Sequence, residues 1–300
     1  MSYFSLFIQQ LFNGLHIGSI YALIALGYTM VYGIVKLINF AHGDIMMVGA
    51  YLAFFMMTLL KLPLAVAIVF SMLFCAVLGI SIEKVAYKPL RNSPRIWALI
   101  TAIGVSFFLE TLFVILFGAN YKPFPQIILP PISVGELQIS RLMLISLVLC
   151  LGLVLLLELF IKKTKLGKAM RASSEDAQAA SLMGISVNKT ISTAFAIGSA
   201  LGAVGGILFA IAYPQISPYM GVMPGLKAFI AAVLGGIGIL PGAVLGGFIL
   251  GLVESLTKGF LSVFWPDASL WADAASFIIL ILVLVIKPSG ILGKNVKEKV

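Results

Sequence analysis

A chain of 300 residues that is 61% hydrophobic and only 10% charged, with a mean hydropathy of +1.13, exposes too much apolar surface for a water-soluble fold, where about a quarter of residues are charged. That excludes a soluble globular enzyme and points to a polytopic membrane protein. The formal net charge of +9 does not mark nucleic-acid binding, because the basic residues fall in short clusters between apolar runs, where they set orientation.

Apolar runs at 7–32, 43–60, 62–83, 97–118, 142–161, 190–212, 223–239, 242–263 and 272–287 predict helical segments. Runs near twenty residues suffice to cross a hydrocarbon core of ~30 Å. The expected fold is all-α, a polytopic transmembrane helical bundle of about eight or nine spans. Broken or half-membrane helices are expected at 36–42 and in the glycine-rich pair after 223. No linker interrupts the chain, so 1–300 reads as one membrane domain. The first basic residue is Lys36, so the opening run lacks the charged region of a signal peptide and is expected to remain as a span.

After the first run, "KLINFAHGD" (36–44) crowds Lys36, Asn39, His42 and Asp44 into a short polar stretch. Gly43 breaks the path, and Asp44 is placed to cap the following helix. Asn39 and His42 can bond the backbone that the break exposes. Irregular backbone at membrane depth persists only when buried in protein or lining a cavity. A broken-helix element beside a translocation path is therefore expected, with a plain cytoplasmic turn as the competing reading. The amide end of such a helix can attract a carboxylate.

Cys75 and Cys150 sit within apolar runs and read as small buried thiols without disulfide or metal. Glu110, in "VSFFLETLFVIL", lies near the middle of its span, with Arg95 the nearest basic residue in sequence. An intramembrane carboxylate is costly and a default functional candidate; it either lines a wet cavity or bonds to a neighbouring helix.

The connection "KKTKLGKAMRASSEDAQAASLMGISVNKT" (162–190) is too polar for the bilayer. Ser173 or Ser174 is expected to cap a helix, with Glu175 and Asp176 in its first turn. "AQAASLM" is a strong helix former, stopped by Gly184. Ala177, Ala180, Leu182 and Met183 give it a mildly apolar face. A helix of this kind suits insertion into a partner's groove, the alternative being an ordinary surface helix.

Farther on, Gly198, Gly202, Gly205 and Gly206, then Gly238, Gly242 and Gly246, and Gly247 and Gly251 supply small residues at helical spacing. Such stripes let helix backbones approach closely in lipid. Glu254 precedes Lys258 by four residues, the spacing of a helical ion pair, expected near the outer interface. No G-x-x-x-x-G-K-[ST] phosphate loop, H-E-x-x-H zinc signature or G-x-S-x-G elbow occurs, and His16 and His42 are the only histidines. A transport subunit without its own ATPase site, catalytic group or cofactor is therefore expected.

Along an alternating nine-span path, Lys36 and the basic residues at 84–95, 162–189 and 287–299 fall on one side. Lys61, Lys122, Arg141, Lys227 and Lys258 fall on the other. The richer side is expected to be cytoplasmic, together with the C-terminus.

Four stretches, 13–51, 165–206, "FGANYKPFP" (117–125) and 221–255, resemble the membrane permease subunits of the ABC importers for branched-chain amino acids. The resemblance implies a second, related permease subunit, two cytoplasmic ATP-binding subunits and an extracytoplasmic amino-acid-binding protein. It implies that ATP is bound by the partner subunits and that the chain resides in the bacterial cytoplasmic membrane. "EDAQAASLMGIS" (175–186) resembles a variant of the EAA-type coupling segment. On that analogy Glu175, Asp176, Ala177, Ala180 and Gly184 couple to the ATPase, while Asn39, His42, Asp44 and Glu110 line or gate the path. Leucine, isoleucine and valine are the implied cargo, although relatives in the wider family move urea, short amides, sugars or nucleosides. The rival reading is an ion-coupled secondary transporter of a small zwitterionic or amide solute, using Asp44, Glu110 or Glu254.

Overall fold

Helix α1 (Tyr3–Val35) runs for 33 residues and is buried on every side from 18 to 31. A helix apolar all round belongs at the centre of a bundle. The computed structural model, which describes residues 3–91, 93–127, 129–134, 137–265 and 271–293, places it there. The glycine stripes explain how its neighbours reach it. A Cβ added at Gly251 would lie 2.2 Å from the Gly18 nitrogen, one at Gly247 2.5 Å from the Ala22 nitrogen, and one at Gly198 3.0 Å from the Gly27 carbonyl oxygen. Backbones here pack on backbones, which only glycine permits.

The chain continues through α2 (His42–Thr58), α3 (Leu64–Ile82), α4 (Arg95–Phe117) and α5 (Arg141–Lys163). They are followed by the short α6 (Lys165–Glu175) and α7 (Ala177–Leu182), then α8 (Val187–Ala212), α9 (Val222–Gly235), α10 (Leu240–Phe264) and α11 (Trp271–Ile286). A π-helical turn (Glu83–Tyr87) and a 3-10 turn (Lys88–Leu90) prolong α3. Cys75 and Cys150 are buried free thiols, as the sequence predicts.

Among the described residues, six helices are long and apolar enough to cross a membrane. The expected runs 43–60, 223–239 and 272–287 instead form α2, α9 and α11, of 17, 14 and 16 residues. At 1.5 Å per residue α9 extends about 21 Å, short of a ~30 Å core. Among the described residues there are thus six helices of spanning length and three shorter ones, the shorter α2 and α9 falling where broken or half-membrane helices are expected.

Two small strand pairs close one end. β1 (Lys122–Pro123) pairs antiparallel with β4 (Gln215–Ile216), and β2 (Ile132–Val134) with β3 (Leu137–Ile139). The Gln9 amide bonds the backbone of Gln138 at 3.1 and 3.3 Å, so the start of α1 lies at the same end. The 36–41 segment, α6 and α7 lie at the other. Phe70 and Phe74 on α3, Phe107 and Phe108 on α4, and Leu155 and Leu156 on α5 are exposed. Outward apolar side chains on long apolar helices mark an integral membrane protein.

Candidate functional site

The chain leaves α1 with Lys36 in a left-handed conformation, φ 55°, and re-enters helix at His42. It re-enters inside the protein: residues 41–51 are all buried. A Cβ on Gly43 would stand 2.5 Å from the Gly221 carbonyl oxygen, and one on Gly225 2.9 Å from the Gly43 Cα. The amino-terminal ends of α2 and α9 therefore meet backbone to backbone, level with Gly27 of α1 and Gly202 of α8. Helix amino ends carry free N–H groups and partial positive charge. Bringing two together is tolerable only where protein groups answer them.

His42 occupies a slot cut by glycines. A Cβ on Gly27 would come within 2.3 Å of its ring and one on Gly202 within 3.0 Å. The ring stands edge-on to Tyr28, centroids 4.7 Å apart, and bonds the Ile24 carbonyl, while its Nε2 finds no partner among the described residues. Asp44 does not cap α2, contrary to expectation. The helix begins two residues earlier, after Ala41, which lends no side-chain cap, and Asp44 falls within the first turn. From there its carboxyl reaches Ser106 and Glu110 of α4. Glu110 thus meets Asp44 of the neighbouring α2. A hydrogen bond between two carboxyl groups requires a proton between them. Asn39 faces elsewhere: its Oδ1 accepts from the Tyr87 hydroxyl at 2.9 Å. The structure brings His42, Asp44 and Glu110 to one region and ties Asn39 to the end of α3.

A second polar region was only partly visible in the sequence. Glu254, 1% exposed, accepts from the Tyr21 hydroxyl at 2.8 Å and from Lys258 Nζ at 2.5 Å. Lys227 Nζ lies 3.0 Å from Glu254 and 2.6 Å from Asp273. The Glu254–Lys258 pair forms as predicted, with Glu254 buried and Lys258 partly exposed. Lys227, expected on the outer side of the path, is a buried residue of α9. A lone lysine in "GLKAFIAAVLGG" demands a carboxylate partner; that signal was available, although the partners' identity was not. Beside this network a cleft of about 210 Å³ is lined by Gln10, Asn13, His16, Tyr213, Ser255 and Lys258.

In the 162–190 connection the helix boundaries differ from expectation. Ser173 is buried within α6 and caps nothing. Asp176 is the cap: its Oδ1 accepts from Gln178 N at 2.8 Å and Ala179 N at 2.9 Å and starts α7. Asp176 outcompetes the serines because α6 extends unbroken to Glu175. Glu175, Asp176 and Ala177 are exposed, and Gly184, φ 82°, ends the turn after α7. Ala180 points inward, 5% exposed, whereas Leu182 and Met183 are 89% and 83% exposed. The apolar face predicted for this helix therefore divides, with Ala180 seating α7 and Leu182 and Met183 projecting from it.

A family model described as branched-chain amino acid transport system, permease component, matches residues 10–286. The high-affinity branched-chain amino acid transport system permease protein LivH of Escherichia coli (strain K12) is 43% identical over 99% of both chains. The corresponding permease protein BraD of Pseudomonas aeruginosa is 43% identical over 98% of each. The probable branched-chain amino acid transport permease protein LivH of Methanocaldococcus jannaschii is 31% identical over 92% of this chain and 89% of its own. With the family model spanning most of its length and relatives matching end to end, this chain belongs to the family of permease components of branched-chain amino acid transport systems.

Proposed function

We propose that the chain is one permease subunit of an ATP-driven importer that carries branched-chain amino acids across the bacterial cytoplasmic membrane. It works with a second permease, two ATP-binding subunits and an extracytoplasmic binding protein, and ATP is bound outside this chain. The supporting observation for the cargo is the end-to-end similarity to permeases of that transport class. The observation that carries the coupling is α7, whose Leu182 and Met183 stand in solvent on a helix rooted through Ala180. Two adjacent large apolar side chains at such exposure are answered by a partner's groove. Glu175, Asp176, Ala177 and Gly184 surround them on the same segment, which, with the basic connections, faces the cytoplasm in this reading.

Movement of α7 changes the tilt of α8, and the buried start of α2, with His42, Asp44 and Glu110, lies beside the path that opens. The test is Leu182→Asp with Met183→Asp in the reconstituted importer. The expected result is loss of ATPase co-purification and of ATP-dependent uptake, with the helical content of the permease unchanged. Amino acid accumulation by the isolated chain under an ion gradient, insensitive to ATP, would refute the reading.

A further inference from the structure

A third polar cluster joins the cytoplasmic segment to the chain break. Glu83 is fully buried and opens the π-helical turn 83–87 at the end of α3. Its Oε1 pairs with Arg91 Nη2, and its Oε2 accepts from Ser192 Oγ at 2.6 Å. Arg91 Nη1 donates to Asn188 Oδ1 at 2.5 Å. Asn188 and Ser192 lie in the first two turns of α8, immediately after α7. Four residues beyond Glu83, in the same π-turn, Tyr87 packs on Phe195 of α8, ring centroids 5.2 Å apart. Its hydroxyl donates to Asn39 at 2.9 Å. One unbroken series of contacts therefore runs from the base of α7 through α8 and the π-turn to the residues just before α2.

Two details distinguish this series from static packing. π-helical turns are rare and recur at functional sites, and this one joins the end of α3 to a 3-10 turn. In addition, the Arg91 Nε and Asn39 Nδ2 groups are buried with no partner among the described residues. Buried unmet donors are costly in the arrangement seen, and they offer bonds to a second arrangement of the same elements.

We propose that Glu83 and Arg91 are positioning residues that transmit displacement of α7, through Asn188 and Ser192, to Tyr87 and Asn39 and so to the buried start of α2. The proposal rests on the reading of α7 as the coupling segment. The experiment uses the complete importer in proteoliposomes, with Glu83→Gln, Ser192→Ala and Asn188→Ala. ATPase co-purification, ATP hydrolysis stimulated by the loaded binding protein, and uptake per ATP are measured for each. The expected outcome is an assembled complex that hydrolyses ATP while uptake per ATP falls about tenfold in Glu83→Gln. Asn188→Ala should add little to that loss when combined with it, because residues acting in series are not additive. Unchanged uptake per ATP in Glu83→Gln, or losses that simply add, overturns the proposal. If Glu83→Gln does not assemble, Ser192→Ala and Asn188→Ala, each removing one bond, decide by the same two criteria. Failure of the underlying reading is distinguishable: the α7 variants would then keep their ATPase, whereas failure of the relay alone leaves α7 essential and the Glu83 variant normal.

Discussion

Glu254 and Glu110 both sit inside long apolar helices, yet Glu254 meets two ammonium groups and a phenol while Glu110 meets another carboxyl group, Asp44. Around Glu254, two cations and two carboxylates are balanced and fasten α1, α9, α10 and α11 together. Around Glu110, among the described residues, no ammonium or guanidinium group bonds either acid, and on α2, two residues before Asp44, the His42 Nε2 lacks a partner. A satisfied buried network rigidifies its surroundings, whereas an incompletely satisfied one is poised for rearrangement. The α9–α11 side thus reads as the fixed wall and the α2–α4 side as the moving one.

The largest effect should come from unbalancing the fixed wall. Lys227→Met leaves Glu254 one cation short in the interior and strips Asp273 of its partner. Removing one member of a buried pair costs about 3–5 kcal/mol. Thermal unfolding of the detergent-purified chain should register that loss. Lys227→Met combined with Glu254→Gln should recover much of it, because the remaining Lys258 and Asp273 reach water. A single variant as stable as the parent would mean the network fastens nothing.

Tyr21→Phe probes the same wall more gently. It deletes one hydrogen bond to a charged group and no charge, a change worth about 1.5–3 kcal/mol. The same unfolding measurement applies, and the loss should be smaller than that of Lys227→Met. If the order reverses, the phenol and not the ion pairing holds α1 to α10.

The contrast was half legible in the sequence. Composition and run length revealed the helical bundle, and the glycine stripes revealed its close packing, because both are local properties of the chain. The polar break at 36–44 also announced itself, since charge is rare here. The polar break at 36–44 and the glycines after 223 marked α2 and α9 as candidates for half-membrane helices, but only the Gly43–Gly221 contact shows that their starts meet inside the protein. Local patterns could not tell which polar groups meet. Asp44 was read as a cap because its sequence neighbours allow it, while its partners, Ser106 and Glu110, lie some sixty residues away on α4. Lys227 was counted among the outer-side charges for the same reason, its carboxylate partners Glu254 and Asp273 lying on other helices. The boundary between α6 and α7 moved because propensity favoured Ser173 and Ser174, but the burial of Met170 and Ser173 against the bundle carried α6 through them. Of the expected C-terminal basic cluster, Lys294, Lys297 and Lys299 lie outside the described residues.

The smallest effect on stability, and the sharpest on function, should come from Asp44→Asn. An asparagine amide donates to the Glu110 carboxylate and keeps α2 joined to α4 without the shared proton that two carboxyl groups need. Exchanging one bonded polar group for another of the same shape should shift stability by no more than about 1 kcal/mol. Melting should therefore stay close to the parent's, in contrast to Lys227→Met. Uptake by the reconstituted importer should fall nonetheless, because an amide–carboxylate bond persists in conditions where a carboxyl pair opens by losing its proton. Were Asp44→Asn to unfold the protein, the α2–α4 contact would be as structural as the Glu254 network. Were it to leave both stability and uptake untouched, the buried start of α2 would have to be a passive part of the wall, and motion would have to be sought along α8 alone.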